Sequence, residues 1–122
     1  MFEPGHLHRR NPPGMAGQPS YSIDFYYEVR QDPKEGAMLH GRLVGEIDGK
    51  AFEEVFEMHR DTAFNFASVI SRLVVKHGLH ANASPIMRAH KEYDAIFEDI
   101  RSKLHAKPGE AVNLDHLEQD GL

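Results

Sequence analysis

Two runs of alternating apolar and polar residues flank Asp48-Gly49 near the middle of the chain, at residues 37–47 and 50–58. A two-residue type I′ turn requires positive φ at both central positions, and Asp-Gly is one of the pairs that favour it. The pattern therefore predicts a β-hairpin in which Ile47 pairs with Lys50.

The register of this hairpin sets which side chains face inward. Counting outward from the turn, Gly45 lies opposite Phe52 and Gly41 lies opposite Phe56, so that each phenylalanine ring leans over bare backbone. Residues 21–30 alternate in the same way, which predicts another strand that pairs with the first strand of the hairpin.

Helical periodicity follows the hairpin. An apolar stripe runs from Ala63 to His77, with Asp61 or Thr62 as the N-cap and Gly78 at the end. A second helix begins near residues 84–85 and carries one apolar seam as far as residue 104. The sequence predicts a two-layer α+β fold, in which two helices pack on one face of a three-stranded antiparallel meander of order 1-2-3.

The ends of the chain have a different composition. Residues 1–20 hold four of the seven prolines and predict an irregular N-terminal arm. Residues 21–105 are then the βββαα domain. Residues 106–122 predict a C-terminal extension with a short acidic helix, which Leu114 and Leu117 would dock.

Several apolar side chains fall outside the predicted core, on the outer face of the sheet or on the far flank of the first helix. An ordinary surface, a seat for the N-terminal arm and a protein interface are all compatible with such residues. The candidate interaction residues are Tyr26, Met38, Val44, Val55, Phe64 and Val75.

The hairpin register points the charged residue Glu54 inward, between Phe52 and Phe56. An unpaired buried carboxylate costs several kcal/mol, so it needs a partner or a position near solvent. One interpretation places Glu54 on an edge strand, where it reaches solvent. The other is a perturbed carboxylate with a raised pKa at the rim of a pocket, paired with His59 or His77.

Composition and charge exclude several classes of protein. The chain has no cysteine, which excludes disulfides, thiolate zinc sites and cysteine nucleophiles, and favours a reducing compartment. No apolar run approaches 18 residues, so we expect no membrane partner and a cytoplasmic location. A net charge of −5 without a basic stripe argues against nucleic acid as a partner.

The nine histidines are the unusual feature of the composition. His59, His77 and His80 are the secondary candidates for metal ligands, because they could converge if the helices pack that way. His6-x-His8 is set aside, since two histidines in a flexible arm with no third ligand nearby rarely bind a metal. The sequence predicts no catalytic residue and no cofactor.

Three blocks of the sequence together resemble a known family: MFEPGHLHR at the start, DGKAFEEVFEMHRDTAFNFASVISRL at residues 48–73 and NASPIMRAHKEYD at residues 82–94. The family consists of small bacterial proteins described only as a domain of unknown function. The resemblance covers nearly the whole chain and implies no activity, ligand or catalytic residue.

Two functions follow as expectations. The first is a small interaction or regulatory module that is not an enzyme and that binds an unknown protein partner or a second copy of itself. The alternative is a small-ligand or metal-binding protein with a histidine and carboxylate site between the sheet edge and helix one.

Overall fold

The computed structural model describes residues 2–11, 20–79, 90–106 and 112–120. Its elements in chain order are the strands β1 (Phe2–Glu3), β2 (His6–Asn11), β3 (Tyr21–Asp32), β4 (Gly36–Ile47) and β5 (Lys50–His59), a 3₁₀ turn (Ala63–Asn65), and the helices α1 (Phe66–Lys76), α2 (His90–Leu104) and α3 (Leu114–Gln119). Within these ranges, no helix has both the length and the apolar character needed to cross a membrane.

All five strands form one antiparallel sheet in the order β1-β2-β3-β4-β5. The α+β class is confirmed, but the predicted three-stranded meander is wrong because the N-terminal segment adds two strands. Leu7 of β2 pairs with Phe25 of β3 and is buried in the core. The irregular arm is therefore also wrong for residues 2–11, while residues 12–19 lie outside the described residues.

The Asp48-Gly49 turn and the register on either side of it are confirmed. Both turn residues have positive φ, 49° at Asp48 and 82° at Gly49. Gly45 pairs with Phe52 and Gly41 pairs with Phe56. Because side chains alternate along a strand, this register puts one face of β5 in the core and leaves the other outside.

The core lies between the inner face of the sheet and helices α1 and α2. Phe25 of β3 stacks on Phe66 at the start of α1 with ring centroids 6.5 Å apart, and Ile96 and Ile100 of α2 are buried in the same cluster. Helix α1 ends at Lys76 with His77 as its C-cap, and Gly78 follows as predicted, with a φ of 115° that suits a residue without a Cβ.

Helix α3 belongs to the C-terminal extension and buries none of its residues. Asn113 caps it, since its side chain accepts a hydrogen bond from the backbone N–H of Asp115. Leu114 is 76% exposed, so the prediction that this leucine docks the helix is wrong. Polar contacts with the end of β5 hold the segment instead.

Candidate functional site

His59, the last residue of β5, lies between two carboxylates. Its Nδ1 is 3.0 Å from both carboxylate oxygens of Asp120, and its Nε2 is 2.9 Å from Oε2 of Glu35. Glu35 belongs to the β3–β4 turn and Asp120 follows α3, so three separate segments meet at this buried ring.

A second histidine, His116 of α3, stacks on His59 with ring centroids 3.8 Å apart and an angle of 7° between the rings. Its Nδ1 lies 2.7 Å from Oδ1 of Asp61. The other oxygen of Asp61 accepts the backbone N–H of Asn113 at 2.8 Å. Each of the two histidines thus has its Nδ1 beside an aspartate.

The three side chains Glu35, His59 and His116 form a group that could hold a metal ion. One ligand atom from each lies within 4.8 Å of the other two. Two imidazoles and one carboxylate are a ligand set that suits first-row transition metals.

The carboxylates change how His59 and Asp61 titrate. Burial, the strongest influence on His59, favours its neutral form, but the hydrogen bonds with Asp120 and Glu35 together outweigh it and raise its pKa. Burial likewise acts to raise the pKa of Asp61, and the hydrogen bonds from Asn113 and His116 outweigh it and lower that pKa. An ion bound here would have to compete with the proton on His59.

Thr62 occupies the N-cap position of the 3₁₀ turn that leads into α1, as one of the two predicted alternatives, but its side chain makes no capping bond. Its hydroxyl donates to Oδ2 of Asp120 at 2.5 Å instead. The side chain of Asp61 is hydrogen-bonded to His116 of α3. The predicted N-cap position is therefore confirmed for Thr62, whereas the capping hydrogen bond is replaced by contacts with the C-terminal segment.

Of the three histidines singled out from sequence, the structure brings only His59 into this group. His77 lies at the end of α1, where it stacks on Phe52 with centroids 4.5 Å apart and its Nε2 is 2.9 Å from Glu54. His80 lies outside the described residues.

Glu54 is paired across the sheet edge. It accepts a hydrogen bond from Nζ of Lys76 at 2.7 Å, and it lies on β5, the last strand of the sheet. The hydrogen bond from Lys76 is the largest cause of its shift, and with the bond to His77 it lowers the pKa of Glu54. Of the two interpretations, the position on an edge strand is confirmed and the raised pKa is wrong, and the pairing with His77 is observed.

The predicted interaction residues do not form one continuous patch. Val55 on the outer face is 64% exposed, but Met38 on the same face is only 6% exposed. Met38 pairs with His59, at the end of the sheet where the C-terminal residues pack, so its place among the exposed residues is wrong. The exposed members are Tyr26, Val55, Phe64 and Val75, and Val44 is partly buried.

Glu35, Asp120 and His116 carry no signal of their own in the sequence. Glu35 lies in a turn made of ordinary turn formers, and His116 lies in a helix of six residues, which is too short to show an apolar period. The sequence does contain one indirect indication of acidic side chains at this site, which is the excess of eight acids over three bases in residues 92–122.

Comparisons with known proteins cover nearly the whole chain and assign it no activity. A family model described as "Domain of unknown function (DUF5064)" matches residues 1–117. The solution structure of the uncharacterized protein PA1076 from Pseudomonas aeruginosa is 55% identical, covers 98% of this chain and 94% of its own chain, and has a TM-score of 0.72. No curated protein matches the sequence. The resemblance predicted from three sequence blocks is thereby confirmed.

Proposed function

Because the chain belongs to the family described as a domain of unknown function, DUF5064, its function has to be inferred from its own side chains, and we propose that it binds a divalent transition-metal ion of the zinc class. The proposed ligands are Glu35, His59 and His116. The proposal takes up the metal-binding alternative from the sequence and moves its site from helix one to the end of β5.

The position of both Nδ1 atoms is the observation that carries this proposal. Asp120 lies 3.0 Å from Nδ1 of His59, and Asp61 lies 2.7 Å from Nδ1 of His116. Metal-bound histidines in proteins almost always donate their other ring N–H to a carboxylate, a carbonyl or water, which fixes the tautomer and orients the ring. Here that arrangement leaves Nε2 of each ring to face an ion.

Binding of an ion would require a modest rearrangement of the three side chains. Zinc ligands lie at about 2.0–2.1 Å, so two ligands of a tetrahedral ion are about 3.4 Å apart. The 2.9 Å separation between Glu35 and Nε2 of His59 would have to widen slightly as the ion replaces their shared proton. The stacked rings of His59 and His116 would have to tilt until both Nε2 lone pairs point at the ion.

The type of ligand favours zinc over the alkaline earths. Calcium and magnesium prefer sites made entirely of oxygen, whereas imidazole suits zinc, copper and nickel. With three protein ligands, a tetrahedral ion keeps its fourth position for water or another small ligand. The site is therefore of the open type.

Zinc titration of the metal-free full-length chain tests the proposal. Wild-type protein is expected to bind Zn(II) with shifts of the ring signals of His59 and His116. Glu35→Gln should weaken this binding by more than about 100-fold, because a lost direct ligand should cost more than a lost outer partner. Glu35 lies on an exposed turn, so this variant should keep the fold.

The matched control is His77→Ala, which removes a histidine that the structure pairs with Glu54. It should bind zinc as the wild type does. If wild-type protein takes up no zinc, or if Glu35→Gln and His77→Ala both bind it with wild-type affinity, the group is an ion-pair network alone and the proposal fails.

A second candidate function is the interaction module that the sequence favours, with a second copy of the chain as partner. Its supporting observation is that β5 is the last strand of the sheet and carries Val55, 64% exposed, near its middle. An exposed apolar side chain on an edge strand favours pairing with another chain.

Light scattering on the double variant Val44→Glu, Val55→Lys tests self-association. A wild-type dimer should become a monomer in the variant, because both substitutions place charges on the outer face. Ser68→Lys, on the exposed side of α1 and outside the set of candidate interaction residues, is the control and should leave the mass unchanged. A wild type that is already monomeric at high micromolar concentration would contradict this candidate.

A further inference from the structure

Strand β2 carries another cluster of histidines with a carboxylate. His6 and His8 are two residues apart and project from the outer face of the sheet, because successive side chains of a strand alternate. Asp24 of β3 pairs with His8. Nε2 of His6 lies 2.7 Å and Nδ1 of His8 lies 3.0 Å from the same atom, Oδ1 of Asp24.

The fold removes both reasons for rejecting His6-x-His8 as a metal-binding pair, namely a flexible arm and the lack of a third ligand. The segment is a strand with six register pairs to β3, so the spacing of the two histidines is fixed. The missing third ligand is Asp24, which is 16 residues away from His8 in sequence and next to it in the sheet.

The ring of His6 also stacks on an aromatic neighbour. Tyr26 stacks on it with ring centroids 4.4 Å apart and 8° between the rings. The guanidinium of Arg42 lies over the Tyr26 ring at 5.8 Å and pairs with Glu53 at 2.8 Å.

We propose that His6, His8 and Asp24 form a solvent-facing site for a divalent ion of the copper class. Their side chains are about one-third exposed, so that water can fill the remaining positions and the ion can enter without unfolding. Nitrogen and oxygen ligands completed by water suit the tetragonal geometry of Cu(II), which also leads the first-row metals in affinity.

Oδ1 of Asp24 and one nitrogen of each ring already meet at one point of the outer face. An ion that binds all three atoms would release any proton that the nitrogens share with the carboxylate. The three ligand atoms are spread more widely here than in the group at His59, so both rings must turn until their nitrogens are at most about 4 Å apart.

This site is separate from the one proposed at His59. The row His6, Tyr26, Arg42 and Val55 crosses the sheet from β2 to β5, and His59 lies four residues beyond Val55. Three strand spacings and four residues along a strand correspond to a distance on the order of 20 Å. The inference consequently does not rest on the proposed function.

Copper titration of the metal-free full-length Glu35→Gln variant, which lacks one proposed ligand of the site at His59, is the direct test. Substoichiometric Cu(II) should broaden the amide signals of residues 6–8 and 24 before those of residues 59 and 116. Electron paramagnetic resonance of the one-to-one complex should show two equatorial nitrogen ligands. Broadening that starts at residues 59 and 116, or that spreads evenly over all histidines, would overturn the proposal.

Single variants identify the ligands. His6→Gln and His8→Gln should each lose one nitrogen from the spectrum and weaken copper binding by at least tenfold, and Asp24→Asn should weaken it without loss of a nitrogen. His40→Gln, on the same face of the sheet, is the control and should bind as the wild type does. If the three variants and the control bind equally, the copper is held adventitiously and the site does not exist.

Discussion

Gly45→Ala is expected to destabilise the fold by about 3 kcal/mol, at the upper end of the usual cost of overpacking. A Cβ at Gly45 would lie 2.1 Å from the carbonyl oxygen of Ser22 and 2.9 Å from Cα of Ile23. Both atoms belong to the backbone of β3, so neither can swing aside without breaking the central strand pair. Thermal unfolding should show a midpoint lower by roughly 10 °C.

Gly41→Ala separates this backbone clash from the general effect of removing a glycine. The nearest atom to a Cβ there is in the ring of Phe56, at 2.5 Å. Phe56 lies on the edge strand and is only partly buried, so its ring can move, and we expect a loss of about 1 kcal/mol. Equal losses in the two variants, or a Gly45→Ala variant that melts with the wild type, would contradict the close approach of β3 and β4.

The central hairpin could be predicted from sequence because its determinants are local. Asp48-Gly49 sets the turn, and the period-two pattern then fixes every pair outward from it. The N-terminal strands could not be predicted from composition over 20 residues. Residues 6–11 contain neither proline nor glycine, and they form a strand whose Leu7 is buried in the core. Because prolines lie on either side of this strand, the average composition did not indicate it.

The candidate site was only partly predictable, because its residues are brought together by tertiary contacts. His59 was identified for its residue type, but its neighbours Glu35 and Asp120 are 24 and 61 residues away. Local patterns were also ambiguous. Asp61 and Thr62 fit the preferences of an N-cap, and only the folded chain shows that their side chains bind the C-terminal segment.

His6-x-His8 shows the same dependence on tertiary contacts. A metal pair needs a third ligand, and on a strand that ligand comes from the neighbouring strand at a position that only the register defines. The register between β2 and β3 puts Asp24 opposite His8. A sequence that leaves β2 unpredicted cannot supply this partner.

Asp120→Ala is expected to release α3 from the end of β5. The side chain of Asp120 is only 4% exposed, and it accepts the backbone N–H of His59 at 3.0 Å as well as the Thr62 hydroxyl. Since α3 buries no residue of its own, these contacts and those of Asp61 hold the segment. Removing one partner of a buried charge pair costs about 3–5 kcal/mol, so amide exchange in residues 112–120 should accelerate by roughly 100- to 5,000-fold.

Glu118→Ala on the exposed side of the same helix is the control for this prediction. It leaves the contacts of Asp120 intact, and residues 112–120 should exchange about as slowly as in the wild type. Amides in the core strands should keep most of their protection in both variants, because α3 contributes no buried apolar residue. If Asp120→Ala leaves residues 112–120 protected, contacts other than this carboxylate hold the helix, and the prediction is wrong.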